Sequence, residues 1–83
     1  MNQLARAPKQ IGTVIRRARK QRGWTQSHLA ERSGLRQETI SLIETGEKSA
    51  KLQSILSLLA ALDLEFRICE RTKGHEADIE ALL

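Results

Sequence analysis

Arg36, Gln37, Glu38, Ser41 and Leu42 crowd into positions 36–42, and their types suit the reading of nucleic-acid bases. Arg offers a fork of donors that fits guanine, the Gln amide can pair bidentately with adenine, and Ser can donate to or accept from either kind of base. On a helix these spacings place all five within two turns on one side, as a probe of the major groove would require. Glu38 fits less simply. Its carboxylate repels phosphates unless it meets a cytosine amine.

Such a probe needs a rigid support, and the flanking residues describe one. Thr25 can cap a first helix whose inner face is Leu29 with Ala30, and Ser33-Gly34 ends it. Ile40 and Ile43 then anchor a second helix against it. Ala30 is small where the two helices cross, and Gly34 suits a turn of positive φ, where a Cβ would clash. Without this frame the five residues would read as the polar coat of a solvated helix. With it they read as the outer face of a helix-turn-helix.

Further residues suit phosphate contacts. Gln26 and Ser27 open the first helix of the pair, where free backbone N–H groups and the helix dipole favour an anion. Arg16 and Lys20 lie on an earlier helix, and Lys48, Ser49 and Lys51 lie in a polar loop after the pair. The formal net charge is +4, and residues 1–23 hold seven Arg or Lys and no acid. A cationic segment of this kind is the usual footprint of phosphate neutralisation and counterion release.

The length of 83 residues suits one small domain, and with one Trp, one Phe and no Tyr its core must be Leu, Ile and Ala at helical spacing. The expected class is all-α with four helices. Residues 1–7 form a loose arm, and residues 8–62 the helix-turn-helix domain. Ile11, Val14, Ile15 and Ala18 stripe the first helix, which Pro8 opens and Gly23 closes; Trp24 then acts as a core staple. Helix two runs from Gln26 to Arg32, helix three from Gln37 to Ile43 or Glu44, and helix four from Leu52 to Leu62. Over residues 63–71 the period changes to two, with Leu64, Phe66 and Ile68 alternating with Glu65, Arg67 and Cys69. That reads as one short β-strand, and a lone strand must find its ladder in a twin chain, giving a homodimer. A longer dimerising helix is the rival, since Leu62, Phe66 and Cys69 also sit at helical spacing and no Gly or Pro intervenes. Residues 72–83 are expected to be a flexible tail, weakly amphipathic through Ala77, Ile79, Leu82 and Leu83.

Other chemistry finds little support. The single Cys69 excludes an intramolecular disulfide and argues against zinc, so no metal or other cofactor is expected. His28, His75 and Cys69 have no activating partners, and no small-molecule substrate or enzyme activity is expected. Gly46-Glu47-Lys48-Ser49 resembles the end of a P-loop, but the earlier Gly and preceding strand are missing. No apolar run suits a membrane span or a secretory leader, which places the expectation in the reducing cytoplasm, on the nucleoid when bound.

Residues 11–46, "IGTVIRRARKQRGWTQSHLAERSGLRQETISLIETG", resemble the DNA-binding domain of the Cro and lambda-repressor superfamily, and Leu52–Leu62 resembles its fourth helix. The resemblance implies a four-helix lambda-repressor-like fold bound to double-stranded DNA at a palindromic operator. It also implies a structural ion pair between Arg19 and Glu44, which makes Arg19 scaffold. The segment "LDLEFRICE" replaces the usual fifth helix and is similar to HipB-type antitoxins, whose C-terminal strands pair across a dimer. That likeness implies autoregulation and a HipA-like toxin kinase as partner. A stand-alone phage-type or restriction-controller regulator is the alternative, and a protein-binding module of the same fold is a third reading. The loop after helix three lacks the proline common in the wider family, and "GHEADIEALL" matches no motif that would assign toxin contacts.

Overall fold

The computed structural model describes residues 3–71 and contains four helices in the order α1 Pro8–Gln21, α2 Gln26–Ser33, α3 Gln37–Thr45 and α4 Leu52–Ala61. Pro8 opens α1, where a missing N–H is harmless, and residues 3–6 before it are neither helix nor strand. The expected tail, with His75, lies outside the described residues.

One core unites the helices. Ile15 and Ala18 of α1, Leu29 of α2, Ile40 and Ile43 of α3, Ile55 and Leu58 of α4, and Leu62 just beyond it are buried together. Trp24, Leu35, Leu59 and Leu64 close its edges. α1 lies on α3, and α2 packs against both α3 and α4. The contact of α1 with α3 is a close one at Gly12, where an added Cβ would fall 2.1 Å from the Ile43 carbonyl oxygen. Only hydrogen fits in that gap. The approach is tighter than the crossing expected at Ala30, which is half-buried at the edge of the core.

Arg22 joins α1 to α4. Its guanidinium donates to the carbonyl of Ala18 at 2.9 Å and also to that of Leu62, so one cation satisfies carbonyls at the C-terminal ends of two helices.

The end of α4 bears on the longer-helix reading of the C-terminal segment. Asp63 adopts φ 58°, the Asp63 N–H donates to Ala60 O at 3.1 Å, and the Leu64 N–H reaches back to Leu59 O at 2.7 Å. This paired arrangement is the Schellman motif, usually built on Gly, and Asp is among the few residues that tolerate the left-handed conformation. The helix therefore stops at Ala61, and the longer dimerising helix is not formed. From Leu64 to Arg71 the chain has neither helix nor strand among the described residues. Leu64 is drawn onto its own subunit's core, whereas Phe66 and Ile68 are 53% and 90% exposed.

Candidate nucleic-acid interface

The turn between α2 and α3 is held by local chemistry. The Thr25 hydroxyl accepts the His28 N–H at 3.0 Å and so caps α2. Gly34 takes φ 76° and donates its N–H to Ala30 O at 2.9 Å, ending the helix in the left-handed conformation. The following Leu35 N–H, which would otherwise lack a partner, donates to the Ser33 hydroxyl at 3.3 Å. The Trp24 ring meets His28 edge-on at 4.8 Å between centroids, with the Arg32 guanidinium 5.0 Å from the ring centre. Trp24 is thus engaged with α2 and the core.

At the start of α2 and the end of α3, away from that turn, lies a buried ion pair. Arg19 Nε and Nη2 donate to the two carboxylate oxygens of Glu44 at 2.8 and 3.0 Å, and Arg19 Nη1 donates to the Trp24 carbonyl at 2.8 Å. Hydrogen bonding to Glu44 raises the Arg19 pKa above its ordinary value, outweighing burial, which acts in the opposite direction. Every polar atom of this buried group has a partner. The pair locks the start of α2, the end of α1 and the end of α3 into one unit.

The presented surface is the N-terminal end of α3. Arg36 stands at the N-cap with an extended backbone, one position before the helix where it was expected, and it is exposed together with Gln37 and Glu38. Ser41 and Leu42, one turn later, are half-buried. Glu38 lies in the first turn of α3, where its charge complements the helix dipole whether or not it meets a base. Ser27 of α2 donates its hydroxyl to Gln37 Oε1 at 3.2 Å, bridging the starts of the two helices.

Two cationic grooves border this surface. The first is lined by Lys9, Thr13, Arg16, Arg17 and Lys20 of α1, by Gln26, and by the Arg19–Glu44 pair with Thr45. It gathers Arg16, Lys20 and Gln26 in one place, and Gln26 Nε2 is tethered to Glu44 Oε1 at 3.2 Å. Lys9, Thr13 and Arg17 were not singled out from the sequence. Their signal was present, because positions 9, 13, 16 and 20 share one face of a helix. The second groove runs between α3 and the loop after it, lined by Arg36, Thr39 and Leu42 on one wall and Lys48, Ser49, Lys51 and Ser54 on the other. Thr39 was likewise unforeseen, and Leu42 forms part of the groove wall.

Among the described residues, no three His, Cys, Asp or Glu side chains are grouped to hold a metal ion, and no helix is long and apolar enough to cross a membrane.

The family described as Helix-turn-helix matches residues 15–68. Antitoxin HipB of Escherichia coli strain K12 is 34% identical over 74 residues, covering 89% of this chain and 84% of that protein. The chain belongs to the HipB family of helix-turn-helix proteins. HipB of Escherichia coli O6:H1 is also 34% identical, over 64 residues that cover 77% of this chain and 68% of its own. Among solved structures, a HipB variant in an O2 20-mer complex superposes with a TM-score of 0.77 at 31% identity, covering 84% of this chain and 97% of that one. A HipA–HipB–O2–O3 complex gives 0.76 at 33% identity over 83% and 97% of the two chains. The restriction-modification controller protein C.AhdI of Aeromonas hydrophila gives 0.66 at 34% identity over 70% and 88%. For a member of this family the four-helix architecture is the expected one.

Proposed function

We propose that this chain is a sequence-specific DNA-binding repressor that serves as the antitoxin of a HipBA-like module, silencing its own operon and neutralising a kinase toxin. The observation that carries the DNA reading is the exposed Arg36-Gln37-Glu38 turn set between two cationic grooves. With α3 in a major groove, Arg36, Gln37, Glu38, Ser41 and Leu42 face base edges. Gln26, Ser27, Arg16, Lys20, Lys48, Ser49 and Lys51 then meet the phosphates of the bordering strands. Arg19 and Glu44 serve as scaffold. A HipA-like partner is supported by the relative solved in a HipA–HipB complex.

Residues 63–71 are read as the dimerisation segment. Phe66 and Ile68 leave apolar surface in water, and the backbone around them has no ladder partner among the described residues. Pairing with the same segment of a second copy satisfies both, and twofold symmetry then sets two α3 helices about 34 Å apart on a palindromic operator. The protein acts in the cytoplasm, on the nucleoid when bound, and the reading calls for no cofactor or small-molecule substrate.

Selection from a random duplex pool tests this directly. A palindrome with half-sites about one helical turn apart is expected. Recovery of no preferred sequence at physiological salt rejects the reading in favour of a protein-binding module. The likeness to C.AhdI favours a second reading, a restriction controller; a kinase-like reading frame beside this one supports the antitoxin, and a restriction-modification pair supports the controller.

A further inference from the structure

Glu65 and Arg67 lie on the segment read above as the dimerisation segment, and they meet each other. Arg67 Nε donates to Glu65 Oε2 at 2.7 Å, with both side chains in water. Two residues apart on an extended chain, they share one side, and Leu64, Phe66 and Ile68 share the other. Leu64 rests on its own subunit's core, so the apolar side is the one turned toward the helices. A twofold ribbon that keeps both subunits against that side must set apolar positions opposite apolar ones and polar opposite polar. The numbers of facing residues then add to an even total.

We propose that this segment pairs antiparallel with a second copy in one register, Phe66 opposite the partner's Phe66 and Glu65 opposite the partner's Arg67, and that these charges select a second copy of this chain as the mate. The inference rests on the dimer reading above. In this register both sides of the ribbon are matched. Leu64 faces the partner's Ile68, Phe66 faces its twin, and with the contact inside each chain the four charged groups alternate in sign around a square. Sliding by two residues one way sets Arg67 against the partner's Arg67 and Leu64 against the partner's Glu70, and sliding by two the other way sets Glu65 against the partner's Glu65. A slide of four toward the C-terminal side leaves Phe66 facing the partner's Glu70. Opposite charges facing across a ladder stabilise it and like charges weaken it, and twofold symmetry counts each effect twice. A related chain without the Glu-x-Arg order loses both attractions.

The test uses the full-length protein in sedimentation equilibrium. Glu65→Arg and Arg67→Glu each set like charges opposite one another twice, so each variant alone should dissociate roughly tenfold more readily than the unaltered dimer. An equal mixture of the two restores both pairs and should dissociate as the unaltered protein does. Both positions are exposed, and circular dichroism should show the same helical content in every variant. Cysteines then read the register directly, in a Cys69→Ser background with an added thiol oxidant. Glu65→Cys and Arg67→Cys should each stay unlinked alone, because each thiol's twin lies two residues further along the ladder, beyond the span of a disulfide. Mixed, they should link one to the other. Linking of Arg67→Cys or Glu65→Cys to its own twin overturns the register while leaving the dimer in place, as does a charge mixture no tighter than its two components. An unaltered protein that sediments as a monomer removes the dimer reading and this inference together.

Discussion

Gly12 presses its bare Cα against the main chain of α3, so that a Cβ would sit 2.1 Å from the carbonyl oxygen of Ile43 and 2.7 Å from that of Glu44. Neither neighbour can swing aside, because both atoms are backbone within a helix. Gly12→Ala must therefore separate α1 from α3 and destabilise the fold by roughly 3 kcal/mol or more. In a domain of this size each kcal/mol is worth roughly 4–8 °C, so the melting temperature should fall well over 10 °C. A shift of only a few degrees would show that the contact is looser than described.

Arg19 and Glu44 should behave as a unit. Their side chains are 10% and 2% exposed, and removing one leaves the other charged in the interior. Arg19→Met or Glu44→Leu alone should each cost about 3–5 kcal/mol, whereas the double replacement should cost less than either. Urea unfolding of all four proteins measures this coupling, and simple additivity of the single losses would contradict it.

Asp63 offers a stabilising change. Its φ of 58° costs a residue with a Cβ roughly 1–2 kcal/mol relative to glycine, partly offset by the freedom glycine loses on folding. Asp63→Gly should raise stability by about 1 kcal/mol, and Asp63→Val should lower it by a similar amount or more. Denaturant midpoints with an unchanged m-value are the readout.

Phe66 and Ile68 contribute little to the subunit that carries them, since both are exposed. Replacing both by Asp should convert the protein to a monomer by sedimentation equilibrium while leaving its helical content intact. A dimer that persists in this variant would move the interface elsewhere.

Lys20 and Gln37 should separate phosphate contact from base readout. Lys20→Ala should weaken operator and random duplexes alike and reduce the salt slope by about one. Gln37→Ala should cost roughly 1–3 kcal/mol on the operator and little on random DNA. Identical losses on both duplexes for both variants would defeat the assignment of Gln37 to a base.

The four helices and the α2–α3 turn could be read from spacing alone because their signals are local. Leu29, Ile40 and Ile43 mark buried faces through helical periodicity, and Thr25 and Gly34 act on backbone groups only a few residues away. The strand-or-helix ambiguity at 62–69 arose because Asp63 is a poor advertisement for a left-handed C-cap. Its use there depends on Leu64 finding room beside Leu59 at the edge of the core.

What sequence by itself determined, then, is the order of the elements, the inner faces that bring them together, and the chemical kinds of side chain offered at 36–42. Tertiary structure alone decided the rest: that Gly12 admits the Ile43 carbonyl, that Arg22 ties Leu62 to α1, that Lys9 and Arg17 share a groove with Gln26, and that Ser27 meets Gln37. The reason is distance along the chain. Local hydrogen bonds and helical periods are written within a few residues, whereas these contacts depend on how whole helices cross, and the crossing is set by the packing of the entire core.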